Sequence, residues 1–230
     1  MIWQSFSHGI RRDPAAKESA EALVVLLPDA GESAATLMPV AARWAPSVPT
    51  AAFVALDGAG QVDLDMSQLG IAVGSPALDS AARQLEPQLD QQMHFYRLDA
   101  SQLVLVGFGQ GGTIALQLLL PNAWSCAGAL AFSAKLVRPL PRIIGTDGKI
   151  RLIESARNGD MNHISLRDTV MSLVSRGVDA RGVVLSGPML PGAILSEEAI
   201  RHGGAYLVEL VATAQRTHHF HHEQENSDVR

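Results

Sequence analysis

Short apolar runs rich in Val, Leu and Ala alternate along this chain with longer segments whose apolar residues recur at helical spacing. Ala22 to Leu27 reads as a first buried strand, Thr50 to Leu56 as a second, Gln102 to Val106 as a third and Cys126 to Phe132 as a fourth, with Ile150 to Glu154 and Gly182 to Leu185 following. These runs are nearly continuous rather than alternating, the pattern of parallel strands covered on both faces. Ser33 to Trp44, Pro76 to Tyr96, Gln110 to Leu120, Ser165 to Arg176 and Ser196 to Ala214 carry the helical period, several with Ser or Asp near the start. The alternation predicts an α/β class fold: a mostly parallel, doubly wound sheet with helices on both faces, in a single domain spanning 22–214. Residues 1–21 are expected to form an N-terminal extension or edge strand, and 215–230 a disordered tail.

Three segments interrupt this rhythm. Pro87 removes a backbone donor from the second helical pattern, which predicts a kink there or two shorter helices. Asp57 to Ser75, rich in Gly and Asp, reads as a long loop over the sheet edge. Lys135 to Arg151 collects Lys135, Arg138, Arg142, Lys149 and Arg151 against Asp147 alone, with Pro139 and Pro141 among them. It reads as a solvated loop or, more sharply, as an anion-attracting rim above a pocket at a strand's carboxyl end.

Composition narrows the function. The 230 residues suit one core, and 18 basic against 23 acidic side chains give a net charge of −5. With aromatics at 5% and no basic stripe interleaved with stacking side chains, nucleic acid is not an expected partner. No apolar stretch is long enough for a membrane span, and the first residues lack a charged segment followed by an apolar one. A soluble, cytoplasmic protein is the default expectation. The single Cys126 sits in an apolar run and reads as a buried, inert thiol.

The most informative segment is Leu103-Val-Leu-Val-Gly107-Phe-Gly109-Gln-Gly-Gly112-Thr, a strand, a tight glycine turn and a helix. Gly107, Gly109 and Gly112 satisfy the dinucleotide fingerprint G-x-G-x-x-G. That fingerprint also requires a carboxylate at the end of the next strand, where this chain has Ala131-Phe132-Ser133-Ala134. The same turn fits the nucleophile elbow G-x-S-x-G, with Gly107-Phe-Gly109-Gln-Gly111 in place.

At this turn the chain resembles the phospholipase/carboxylesterase family of α/β-hydrolases, the bacterial carboxylesterase and acyl-protein-thioesterase-like group, whose elbow reads G-F-S-Q-G-G. The resemblance runs from about Ala22 to Ala212 and implies the α/β-hydrolase fold. It assigns Gly109 to the nucleophile position, which therefore has no hydroxyl. It assigns the oxyanion-hole amides to Ala30 and Gln110; in the loop after the first strand, Pro28 and Asp29 replace the family's His-Gly pair. A carboxylate at Asp29 beside the hole is expected to oppose a developing oxyanion. Asp160 in Asn158-Gly-Asp160 takes the acid position, although an Asp there is also an ordinary turn former and cap. Ala193 stands where the resemblance expects the catalytic His.

Acyl transfer needs a hydroxyl, an imidazole to take its proton and a carboxylate to orient the imidazole. The first two are replaced here, which implies a catalytically inactive member of the family that retains a pocket for a small acyl or ester-like ligand or for a protein partner. The alternative is an atypical active esterase or thioesterase, with Ser133 as nucleophile or with a water activated by Asp160 or His163. A dinucleotide-binding module through Gly107, Gly109 and Gly112 is the third reading. His202 falls in the last helical segment and is expected to be solvated. No cofactor and no metal are implied, and the family's habit of dimerising makes a homodimer an expected assembly. Four of the eight histidines cluster at 218–222, where a polar terminus supplies no fixed ligand geometry for a structural metal. Glycine at 109 is expected to relieve backbone strain at the elbow.

Overall fold

All six predicted strands form, and two more precede them. The computed structural model describes residues 3–16, 19–57, 73, 75–120, 125–134, 146–155, 166–185 and 195–227. Strands β1 (Gln4–Phe6) and β2 (Gly9–Arg12) make a short antiparallel hairpin. Six parallel strands follow: β3 (Ala22–Leu27), β4 (Ala51–Leu56), β5 (Leu103–Phe108), β6 (Gly128–Phe132), β7 (Lys149–Ser155) and β8 (Ala180–Leu185). They form one sheet in the order β1-β2-β4-β3-β5-β6-β7-β8, with β2 antiparallel to β4 at the hairpin edge. Every residue of β3, β4, β5 and β6 is buried, as the unbroken apolar runs require, whereas edge strand β8 is exposed along its middle.

Helices α1 (Ala34–Trp44) and α5 (Glu197–Ser227) cover one face, and α2 (Pro76–Tyr96), α3 (Gln110–Leu119) and α4 (Leu166–Val174) cover the other. This is a single-domain α/β fold with a mostly parallel eight-stranded sheet. Helix α2 is one continuous helix through Pro87 rather than two. Leu78, Ala81, Ala82, Leu85, Leu89 and Met93 are buried on both sides of the proline, so core packing outweighs the lost hydrogen bond. Its start is set by Ser75, whose hydroxyl accepts from Leu78 N at 3.4 Å, and its end by Arg97 in the left-handed conformation. Helix α5 continues past Ala214 into the segment set apart as a tail, where neither Gly nor Pro interrupts it. Residues 58–72 of the Gly- and Asp-rich loop lie outside the described residues, as do 135–145.

The basic rim is corrected in part. Lys149 and Arg151 belong to the amino end of β7, the edge of the sheet opposite to that of a carboxyl-end rim. Arg151 is completely buried. Its Nε and Nη2 donate to the Glu209 carboxylate of α5 at 2.9 and 2.6 Å, and its Nη1 donates to Asp179 Oδ1 at 3.0 Å and to the Ile150 and Asp179 carbonyls at 2.9 Å. Lys149 Nζ stands 3.5 Å from Glu209. A guanidinium this deep in a sheet is tolerable only because its donors are met by carboxylates and carbonyls. The network pins α5 across β7.

The hydrogen bonds from Arg151 hold the Glu209 carboxyl down to about 2, below the ordinary carboxylate range. A folded-state value below the unfolded one means stability that is present at neutral pH and lost as pH falls from about 4.5 towards 2. Replacing Glu209 by Gln is expected to lower stability at pH 7 by about 1–3 kcal/mol, as a buried charged donor loses its partner. Thermal unfolding should show the variant losing less stability than the parent between pH 5 and pH 2.5.

Candidate active site

The sheet changes direction between β3 and β5. The chain leaves β3 for β4 on one side, then returns to lay β5 on the other side of β3 and β6 beyond it. Ligand crevices of open α/β sheets lie at the carboxyl ends of strands at such a switch. The parallel register sets Leu27 beside Gly107 and Phe108 beside Phe132, so these strands end close together. Behind them an aromatic stack fills the α1/α5 face: Phe108 lies 4.8 Å from Phe132, and Phe132 lies 5.9 Å from Trp44, whose indole N–H donates to the Ile200 carbonyl at 2.8 Å.

Gly109 joins β5 to α3 with φ +51° and ψ −113°, a conformation that side-chain-bearing residues rarely adopt. Its N–H donates to the Phe132 carbonyl at 2.8 Å, and its carbonyl accepts from Thr113 N at 3.1 Å and Thr113 Oγ1 at 3.2 Å. These backbone hydrogen bonds hold the sharp turn with no help from a side chain at 109. Gly111 lets α3 start against the loop after β3, since a Cβ there would lie 2.4 Å from the Leu27 and Pro28 carbonyl oxygens.

That loop supplies the feature that defines the site. Asp29 Oδ1 accepts from Ala30 N at 2.8 Å and from Gln110 N at 2.7 Å. These are the two amides that the family resemblance assigns to an oxyanion hole, and the carboxylate is bonded to both of them rather than standing beside them. A Cβ at position 109 would lie 2.2 Å from Asp29 Cγ and Oδ1 and 2.3 Å from Oδ2. One side chain thus fills the space into which a side chain at 109 would project and also meets both amides. The first amide of α3 carries the positive end of the helix dipole and favours this charge.

The surroundings are acidic. Burial, and then the negative charge of Asp29, push the Glu32 carboxyl up, while the Thr36 hydroxyl donates to it at 3.4 Å. Asp57 Oδ1 accepts from Ala34 N at 2.7 Å, capping α1 in place of the adjacent Ser33.

Ser133 follows β6 with φ +50° and is half-buried; its N–H donates to the Ile153 carbonyl at 2.9 Å. It stands next to the Phe132 carbonyl that holds Gly109, which places it on the same edge of the sheet. Asp160, His163 and Ala193 lie outside the described residues. His202, expected to be solvated, is half-buried on α5. Cys126 is buried with its thiol pushed up to about 12 by desolvation, and its S–H approaches the Gly128 carbonyl at 3.8 Å. Such a thiol has no thiolate to offer as a nucleophile. The dinucleotide reading meets an obstacle at the helix start. The close approach of Gly107 to Gly111 and Gly112 suits either motif, but the start of α3, where a pyrophosphate would sit, is held by a carboxylate, and the next strand ends without one to hold a ribose. Among the described residues no group of three or more His, Cys, Asp or Glu side chains is arranged to hold a metal ion.

Installing Ser at position 109 would place its Cβ on the Asp29 carboxylate and impose the strain of the elbow, about 1–3 kcal/mol, on a residue that has a side chain. Gly109→Ser is expected to destabilise the fold by about 2–4 kcal/mol, because displaced Asp29 also leaves two amides unmet. Adding Asp29→Gly in the same chain should add less than its own single-variant cost, a coupling that a double-mutant cycle of denaturant melts would measure.

The sequence matches the family model described as Phospholipase/Carboxylesterase over residues 14–142. No curated protein matches it in sequence. Among solved structures, esterase PE8 is similar with a TM-score of 0.72 and 24% identity, covering 88% of this chain and 98% of its own. A phospholipase/carboxylesterase from Dyadobacter fermentans gives a TM-score of 0.61 at 22% identity over 87% of this chain and 97% of its own. The Bacillus cereus carboxylesterase gives 0.61 at 15% identity, over 89% and 95%. At these identities the structures speak for the fold. The family model, matched over more than half the chain and including the elbow and the loop that faces it, settles the lineage: this chain belongs to the phospholipase/carboxylesterase family of α/β-hydrolases.

Proposed function

We propose that this protein is a catalytically silent member of its family, keeping the hydrolase scaffold as a binding platform for a small acyl or ester-like ligand or a protein partner. The observation that carries the proposal is the Asp29 carboxylate bonded to both Ala30 N and Gln110 N. A hydrolase stripped of its nucleophile and base still accelerates hydrolysis about 10³-fold, because the oxyanion hole and substrate contacts survive. In this chain that residual route is closed as well. A substrate carbonyl would have to displace an anion from the hole, and the charge developing on its oxygen would face Asp29 and Glu32 at close range. Loss of a single hole donor elsewhere costs about 10²–10³ in rate, and here neither donor is available. Gly109 offers no hydroxyl, and Ala193 stands at the position of the base.

The second reading rests on Ser133, a non-glycine residue with positive φ on the same edge of the sheet. Its position gives it a hydroxyl near the elbow, but the hole that would serve it is the one Asp29 fills. The purified protein is expected to hydrolyse p-nitrophenyl butyrate no faster than buffer and to remain unlabelled by a fluorophosphonate probe, with Ser133→Ala unchanged in both assays. Turnover that persists through purification and disappears in Ser133→Ala would establish the atypical hydrolase instead, and turnover lost on changing Asp160 or His163 would point to an activated water.

A further inference from the structure

We propose that the last turns of α5 carry a binding site for a divalent transition-metal ion, with His218 and His222 as its two imidazole ligands. Four of the eight histidines fall at 218, 219, 221 and 222, and the expectation that they lack a fixed geometry assumes an unstructured terminus. The chain is helical there instead: α5 runs unbroken to Ser227. Beyond Arg216 the helix backbone, with the sequence, sets which residues share a face. A helix turns about 100° per residue, so residues four apart stand on one face, about 6 Å from each other along the axis. That is the spacing at which the H-E-x-x-H motif offers two histidines to zinc. Of the four clustered histidines, His218 and His222 are the one pair so spaced. Glu225, three positions beyond His222, falls on the same face and adds a negative charge that favours a cation.

The body of the protein fixes this helix up to the turn before the site. Leu207, Leu210, Val211 and Ala214 are buried in the core on the α1/α5 face of the sheet. Gln215 Nε2 donates to Glu21 Oε2 and to Thr50 Oγ1 at 2.7 Å, tying α5 to the residues that precede β3 and β4. Those residues stand at the amino ends of the strands, so the proposed site lies towards the edge of the sheet opposite to that of Asp29 and Gly109 and is independent of the reading given to them. Neither Gly nor Pro occurs between Ala205 and Ser227 to break the register carried from the anchored part of the helix into 218–222. Ligands presented by an anchored helix are already spaced, so less ordering entropy opposes capture of an ion. Ligand chemistry selects the ion. Neutral imidazole suits Zn²⁺, Ni²⁺ and Cu²⁺, whereas Ca²⁺ and Mg²⁺ take oxygen ligands. The remaining positions of a tetrahedral shell are left to water.

The test titrates the full chain and its variants with zinc chloride by calorimetry at neutral pH. Saturable binding is expected, and His218→Ala and His222→Ala should each weaken it by about tenfold or more, the loss that follows even from removing an outer-shell partner of a metal ligand. His219→Ala and His221→Ala, each about 100° round the helix from one of the two ligands, are expected to weaken it less. Phe220→Pro keeps all four histidines but interrupts the helix between the ligands, and should lose the site. Excess calcium or magnesium is expected not to compete. Absence of saturable binding overturns the proposal, as does undiminished affinity in Phe220→Pro. Losses as large in His219→Ala or His221→Ala as in the two ligand variants mean chelation by a cluster without helical order, an adventitious ion only, and overturn it as well. Competition by calcium or magnesium overturns the assignment to imidazole. None of these readouts depends on whether the protein hydrolyses esters.

Discussion

A single carboxylate links the two strand ends that the fold delivers to its switch point. Asp29 leaves β3, turns back through the amide of its own successor and reaches the first amide of α3, which leaves β5 through the elbow. The close start of α3 against the Leu27 and Pro28 carbonyls, the sharp turn at Gly109 and the capping of α1 by Asp57 all surround this contact. An empty hole would present two converging, unmet amides at the positive end of a helix, and a charge seated there satisfies them at about 1.5–3 kcal/mol per charged hydrogen bond. In a hydrolase that satisfaction is deferred to the transition state. Here it belongs to the resting fold.

The two edges of the sheet handle charge in contrasting ways. At the amino end of β7, Arg151 is sealed inside with Glu209 and Asp179, and its network fixes α5 to the sheet. At the carboxyl end, among the described residues, Asp29 and Asp57 are partly exposed and bonded to backbone amides. The aromatic stack of Trp44, Phe132 and Phe108 lies between, tying α1 and α5 to the strands that carry Gly109 and Ser133. An edge built on backbone geometry can change its side chains without losing its shape, and the turn at Gly109 is held by backbone hydrogen bonds to Phe132 and Thr113.

Much of this architecture is legible in the sequence, and the failures have physical causes. The parallel strands could be read because burial on both faces demands unbroken apolar runs, and Ala22–Leu27 coincides with its run residue for residue. The hairpin at Gln4–Arg12 left a fainter trace, since an edge strand with a polar, half-exposed pattern resembles an extension. Lys149 and Arg151 read as part of a basic rim, although Arg151 also falls within the strand run Ile150 to Glu154, because a strand rarely buries a cation; Glu209 and Asp179, 58 and 28 positions from Arg151, make that burial tolerable. Pro87 suggested a break that core contacts on both sides of it override. At the site, the empty nucleophile position and the altered loop were both visible as separate departures from the family pattern. What no local pattern could disclose is that they meet: the acidic side chain at 29 occupies the volume vacated at 109.

That meeting makes the two positions mutually exclusive. A side chain at 109 and the Asp29 carboxylate in its present place cannot coexist, so any residue larger than glycine there requires the acid to move first or with it. The seated carboxylate is acceptable because the residue at 109 has no side chain. The turn and the loop that faces it are in that sense coupled by packing, although 80 positions separate Asp29 from Gly109.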